Sequence, residues 1–153
     1  MNQYGRVALK AYDILVNNEV DCSKKAWEKA MIIENVSKKL CAKSAFVALT
    51  EFNLLINCQG PKQSLNQEVN KWYTFTVVNL LKNNPKSDSS TLLYKLKLDL
   101  KKEKTQFVTI IDVVSALWNA NYIEKSIDLK EEIERLRKKI NPTVVDILGD
   151  LDI

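Results

Sequence analysis

Two stretches, 48-ALTEFNLLI-56 and 116-ALWNANYI-123, share one frame: Ala-Leu, a few residues, Asn, then an apolar pair ending in Ile. Taken alone, 107-FVTIIDVVSALWNA-120 is β-branched enough to form a strand, yet Val108, Ile111, Val114, Ser115 and Trp118 keep a helical stripe. The first stretch settles the choice. Residues 45–56 place Ala45, Phe46, Ala48, Leu49, Phe52 and Leu55 on one wide apolar face, so both segments are expected to be helices.

The same frame implies duplication. Aligning Ala48 with Ala116 and Asn53 with Asn121 sets an offset of 68 residues, and ILVNN at 14–18 matches LLKNN at 80–84 at an offset of 66. Each half then reads as a long helix, an Asn-rich turn, a shorter helix and an apolar helix closed by Asn. Asn53 and Asn121 are helix-ending residues able to accept a left-handed turn.

Outward from these segments, helical spacing recurs. Tyr4, Val7, Ala8, Ala11, Ile14 and Leu15 mark a first helix over 3–17, stopped by Asn17 and Asn18. Ser23 is expected to cap a second, with Trp27, Ala30 and Met31 as its buried stripe. A basic link with Lys38, Lys39 and Lys43 leads to Ser44, the expected cap of the third. Gly60 and Pro61 make the strongest break, after which Ser64 and Gln67 form a capping-box pattern opening a fourth helix over 65–82. Pro85 and a Ser/Asp cluster end it. Residues 90–102 alternate like a strand through Tyr94, Leu96, Leu98 and Leu100, but a lone strand has no hydrogen-bonding partner, so a helix is expected.

Ser126 is expected to cap a last helix with acids at its start and Arg135, Arg137, Lys138 and Lys139 at its end, matching the helix dipole. Leu129, Ile133, Leu136 and Ile140 follow a 4-3-4 spacing, an apolar stripe that must pack on the body of the protein or on a second chain. A short apolar segment with Pro142 and Gly149, and an acidic tail, complete the chain. The expected fold is all-α: a compact helical domain of about seven helices, with two similar three-helix halves (about 1–57 and 65–123) and a C-terminal unit, 124–153.

Composition agrees. The 153 residues are 46% hydrophobic and 27% charged, with only 3 Gly and 3 Pro, which suits a helical globular domain and disfavours a turn-rich sandwich. Glu51, Asn53 and Asp112 interrupt the most apolar stretches, so no membrane span is expected. The N-terminus lacks a secretory pattern, and Cys22, Cys41 and Cys58 have no metal-site spacing; a cytoplasmic location with reduced, partly buried thiols is expected.

With no His, no Gly-x-Ser-x-Gly elbow and no Gly-rich phosphate loop, the sequence points away from an enzyme, and no cofactor, metal or small-molecule ligand is expected. Glu28, Glu34 and Glu51 read as solvated helix faces. A nucleophilic Cys41 or Cys58 is the enzymatic alternative. Charge is divided: residues 1–60 carry 8 basic and 6 acidic side chains, residues 61–107 carry 9 and 4, and residues 108–153 carry 6 and 9. The acidic end is therefore able to fold back on the basic middle.

Two readings of function follow. The first is a non-enzymatic interaction or accessory protein, meeting a protein partner or itself through Leu129, Ile133, Leu136 and Ile140. The alternative is nucleic-acid binding through Lys71, Lys95, Lys97, Lys101, Lys102 and Lys104, each able to displace counterions from a phosphate.

Tyr4, Gly5, Ala8 and Ala11, then Ala26, Trp27, Glu28 and Ala30, then Cys41, Lys43, Ala45, Phe46 and Leu49, and finally Val113, Ala116, Leu117 and Trp118 make up a longer pattern. In it the chain resembles a family of small uncharacterised bacterial proteins carrying a domain of unknown function. The family's pattern has a glycine after each apolar helix, where this chain has Asn53 and Asn121. The resemblance implies a compact helical domain over about 4–123 and supplies no activity.

Overall fold

Helix ends organise this molecule, because asparagine repeatedly does the work usually left to glycine. In the computed structural model, which describes residues 2–58, 63–100 and 104–140 with side chains except at 97–100 and 104–106, seven helices appear among the described residues. They are α1 (Gln3–Val16), α2 (Ser23–Glu34), α3 (Leu40–Glu51), α4 (Glu68–Asn83), α5 (Ser89–Leu100), α6 (Lys104–Asn119) and α7 (Lys130–Lys139). The break at Gly60 and Pro61 and the segment from Pro142 through Gly149 lie outside the described residues.

Four helices close on an Asn in the left-handed region: Asn18, Asn35, Asn53 and Asn121, with φ between 52° and 63°. At each, the next residue's N–H reaches back to the carbonyl five residues earlier, as in Glu19 to Ile14 and Val36 to Met31. A left-handed turn is tolerable for Asn, whose short polar side chain carries less penalty there than other non-glycine residues. The expectation for Asn53 and Asn121 holds, and it explains how seven helices form with so few glycines.

The two closing segments are superimposable in their bonding. Leu54 N–H donates to Leu49 C=O at 2.9 Å, and Tyr122 N–H to Leu117 C=O at 3.0 Å, each bond mapping onto the other by the offset of 68. Beyond the turns the two segments meet as an isolated antiparallel bridge, Leu55 opposite Ile123. Ile56 N–H donates to Tyr122 C=O at 2.8 Å while Glu124 N–H donates to Leu54 C=O at 2.7 Å. Under the same offset these two bonds also exchange, so a local two-fold axis passes between Leu55 and Ile123.

Part of the helix packing follows the axis. α3 lies on α6; α1 packs on α6 as α4 packs on α3; α2 lies on α3 as α5 lies on α6. One core joins them all, with Trp27, Phe46, Leu49, Trp72, Phe75 and Ile110 fully buried. Trp118 is buried and Phe52 half-buried, the latter edge-on to Phe75 with ring centres 4.9 Å apart. Tyr12 stacks on Tyr122 at 3.9 Å and donates its hydroxyl to Ile56 C=O at 2.7 Å, tying α1 to the bridge.

Helix starts differ from the serine-based expectation. Ser44 lies inside α3, which begins four residues earlier; its buried hydroxyl accepts from Asn70 Nδ2. Ser23 is the first residue of α2, and the capping acceptor comes from across the chain: Gln63 Oε1 takes Lys24 N–H at 3.1 Å. Ser64 caps nothing in α4, which begins at Glu68, and instead accepts from Lys71 Nζ at 2.7 Å. Ser126 lies ahead of α7, where Asp128 Oδ1 accepts from Lys130 N–H. The true local caps are Asn2, bonded to Gly5 N–H, and Asp88, bonded to Thr91 N–H.

Candidate functional site

The stripe expected to meet a partner is used inside the chain. Leu129, Ile133, Leu136 and Ile140 are at most 5% exposed and belong to the same core as the first 123 residues, so the core crosses the boundary drawn there. α7 packs on α4, and Lys82 Nζ donates to Ile127 C=O ahead of it. A stripe buried this way has no face left for a second chain. Of its two possible coverings, body or partner, the body takes the place.

Lys71 is also withdrawn from surface chemistry. Its side chain is 8% exposed, with Nζ 3.1 Å from Glu51 Oε2, so neither the phosphate-binding role expected for Lys71 nor the solvated face expected for Glu51 describes them. A buried ammonium needs such partners to offset its lost hydration. Lys95 is exposed on α5 beside Tyr94, itself 67% exposed. Lys101 and Lys102 lie outside the described residues, as do the side chains of Lys97 and Lys104.

What the structure does leave open is a groove between the end of α2 and the start of α3. It holds about 780 Å³, with apolar walls from Trp27, Met31, Ile32, Val36 and Leu40. Ile32 is 81% exposed and Leu40 55%, whereas Trp27 is fully buried at its base and its indole N–H has no partner among the described residues. Ile33, half exposed, continues the apolar surface beside it.

Three lysines, Lys38, Lys39 and Lys43, line the α3 side. Lys43 Nζ reaches across to Glu28 Oε1 at 2.8 Å, and this bonded ammonium holds the Glu28 carboxyl below its usual range. The connecting turn is anchored from outside: Tyr4 donates its hydroxyl to Ser37 C=O at 2.9 Å, and the left-handed Asn35 sends Val36 back toward Met31. The walls are thus preset rather than loosely hung.

Sequence reasoning noted the basic link but missed the groove. The available signal was Ile32 and Ile33, which fall off the Trp27, Ala30, Met31 stripe and so have no place in the core that stripe faces. The cysteines offer less: Cys41 is buried and donates to Asn70 Oδ1, and Cys22 is buried. Among the described residues no group of three or more Cys, Asp or Glu is placed to hold a metal ion. No helix there is long and apolar enough to cross a membrane.

Residues 1–124 match the model of a family of unknown function, DUF6979, and the chain belongs to that family. No curated protein and no solved structure matches it. The match ends before α7, so the groove lies wholly within the family domain.

Proposed function

We propose that the protein is a non-enzymatic interaction module that receives an acidic, apolar-faced segment of a protein partner in the α2–α3 groove. One observation carries the reading: Ile32 and Leu40 stand exposed on a lysine-edged groove, while the other strong apolar stripe, on α7, is already covered. Large exposed aliphatic residues beside a concave wall are a recognised mark of an interaction surface. The lysines favour acidic partners and steer their approach. We assign its action to the cytoplasm, where Cys22, Cys41 and Cys58 would stay as thiols.

The test is photo-crosslinking in the native host, with Ile32→p-benzoylphenylalanine in the full chain and the same residue at exposed Lys130 as control. Position 32 is expected to cross-link to a protein segment in which acidic residues flank apolar ones at helical spacing. No product at 32, or a yield no greater than at 130, overturns the reading.

Nucleic-acid binding is the second reading, favoured by exposed Tyr94 next to exposed Lys95, an aromatic face beside a cation. It requires duplex or single-stranded binding at low salt that weakens steeply as salt rises. Fluorescence anisotropy with labelled DNA decides it: a flat titration removes this reading, and a steep salt slope lost in Lys95→Glu supports it.

A further inference from the structure

We propose that α7 is an exchangeable cover, seated on a face of α4 that is built to take an amphipathic helix of a partner protein whose apolar stripe carries Asn or Gln. This surface is separate from the α2–α3 groove, and the proposal holds or fails independently of the groove reading.

The first argument is which face α7 covers. Lys82, in the last turn of α4, donates to Ile127 C=O just ahead of α7. Arg135, within α7, pairs with Glu132 and also feels the charge of Glu68, the first residue of α4. α7 therefore runs antiparallel to α4 between these two marks. At 3.6 residues per turn, Glu68, Trp72, Asn79 and Lys82 fall within an arc of about 80° on the α4 surface. Trp72 and Asn79 thus lie beneath α7.

The second is what that face offers. Trp72 is fully buried and Asn79 is 3% exposed. Yet Trp72 Nε1, Asn79 Nδ2 and Glu68 Oε2 are buried without a hydrogen-bond partner among the described residues, and so is Thr76 Oγ1 beside the arc. Such groups oppose folding, since each has lost its water without a replacement. The stripe that α7 lays against the body is Leu129, Ile133, Leu136 and Ile140, aliphatic throughout. α7 matches the face in apolar area and mismatches it in hydrogen bonding.

The third is how lightly α7 is held. Among the described helices it packs chiefly on α4, and at 10 residues it is too short to persist as a helix once undocked. It also lies beyond residue 124, where the family match ends. Undocking it leaves the contacts among α1 to α6 in place.

The unpaired donors define the partner. Trp72 Nε1 and Asn79 Nδ2 both give hydrogen bonds, so the incoming helix must bring acceptors, and a neutral amide oxygen is buried at less cost than a carboxylate. Seven residues separate the two donors, about 10 Å along α4, which sets the acceptors about two turns apart on a helix lying alongside.

Two measurements on the purified full chain test this. In native-state hydrogen exchange the amides of α7 are expected to open while α3 and α4 stay protected, and Asn79→Leu, which meets the aliphatic stripe in kind, is expected to make that opening about tenfold rarer. Opening of α7 only with the whole domain, or no slowing in Asn79→Leu, overturns the proposal. In the second measurement three synthetic peptides of residues 126–140 are titrated into wild type: the α7 sequence itself, a Leu129→Gln, Leu136→Gln form and an Ile133→Gln, Ile140→Gln form. One Gln form is expected to bind about tenfold more tightly than the α7 sequence and to move the Trp72 indole N–H resonance downfield, as gain of an acceptor does. Equal or tighter binding of the α7 sequence, meaning a face that takes α7 of a second copy, overturns the proposal. So does binding that leaves the Trp72 resonance in place, or no binding at all.

Discussion

The two halves of this domain close with the same turn yet leave their outer surfaces in different states. In the second half α7 is laid along α4, and the stripe of Leu129, Ile133, Leu136 and Ile140 completes the core. The first half has an apolar α2–α3 junction, but Ile32 and Leu40 remain exposed there. The two-fold arrangement accounts for the shared turn and the bridge; it does not account for the groove. Function is better sought where the symmetry breaks.

Even the basic links invite the comparison. Lys38 and Lys39 lie between α2 and α3 in the first half, and Lys101 and Lys102 fall between α5 and α6 in the second. Two of the lysines that sequence alone singled out, Lys101 and Lys102, are therefore the chain-order counterparts of Lys38 and Lys39 on the groove's basic edge.

The largest effects test the symmetric part. Leu49 and Leu117 are fully buried equivalents, so Leu49→Ala and Leu117→Ala should each lower unfolding free energy by about 3 kcal/mol in urea titrations. A loss confined to one of them breaks the equivalence. Next is Lys71→Ala, which strands the partly buried Glu51 carboxylate and should lower stability by about 2 to 3 kcal/mol without altering any DNA titration.

Position 112 sharpens the contrast, because the offset of 68 places Asp112 opposite Ser44. Ser44 is buried with Asn70 as partner, whereas burial of the Asp112 carboxyl pushes its pKa from 3.8 up to about 6. The folded chain then holds a proton that the unfolded chain releases, so this group's contribution is full below pH 3.8 and is lost as pH rises through 6. Asp112→Asn should stabilise the protein by about 2 kcal/mol above pH 7, after allowing for partial exposure, and leave it unchanged near pH 3.5. A pH-independent difference would contradict this.

Legibility divides along physical lines. Apolar spacing is local, and it placed α1, α4, α5 and α6 near their observed ranges. Asn53 and Asn121 were readable as helix ends because the left-handed turn needs a particular residue type. Serine caps were not, since Ser23, Ser44, Ser64 and Ser126 each have the right chemistry, while burial of Cys41 and Ala42 moved the start of α3 and Gln63 capped α2 from a distance. The α7 stripe announced that something covers it without saying what. The groove escaped notice because exposure of Ile32 depends on how α2 is rotated in the packed domain.

A smaller effect probes the turns themselves. Asn53→Val and Asn121→Val put a β-branched residue at φ 57° and 63° and should each lower stability by about 1 to 2 kcal/mol. Unequal losses would show that the two turns differ in strain although they share their hydrogen bonds.

Side-by-side urea denaturation of Leu136→Ala and Ile32→Ala tests the central asymmetry most directly, namely that the α7 stripe is core and the α2–α3 wall is free surface. Leu136→Ala should lower unfolding free energy by about 2 to 5 kcal/mol, and Ile32→Ala should stay within about 0.5 kcal/mol of wild type. A neutral Leu136→Ala with a strongly destabilised Ile32→Ala would contradict it.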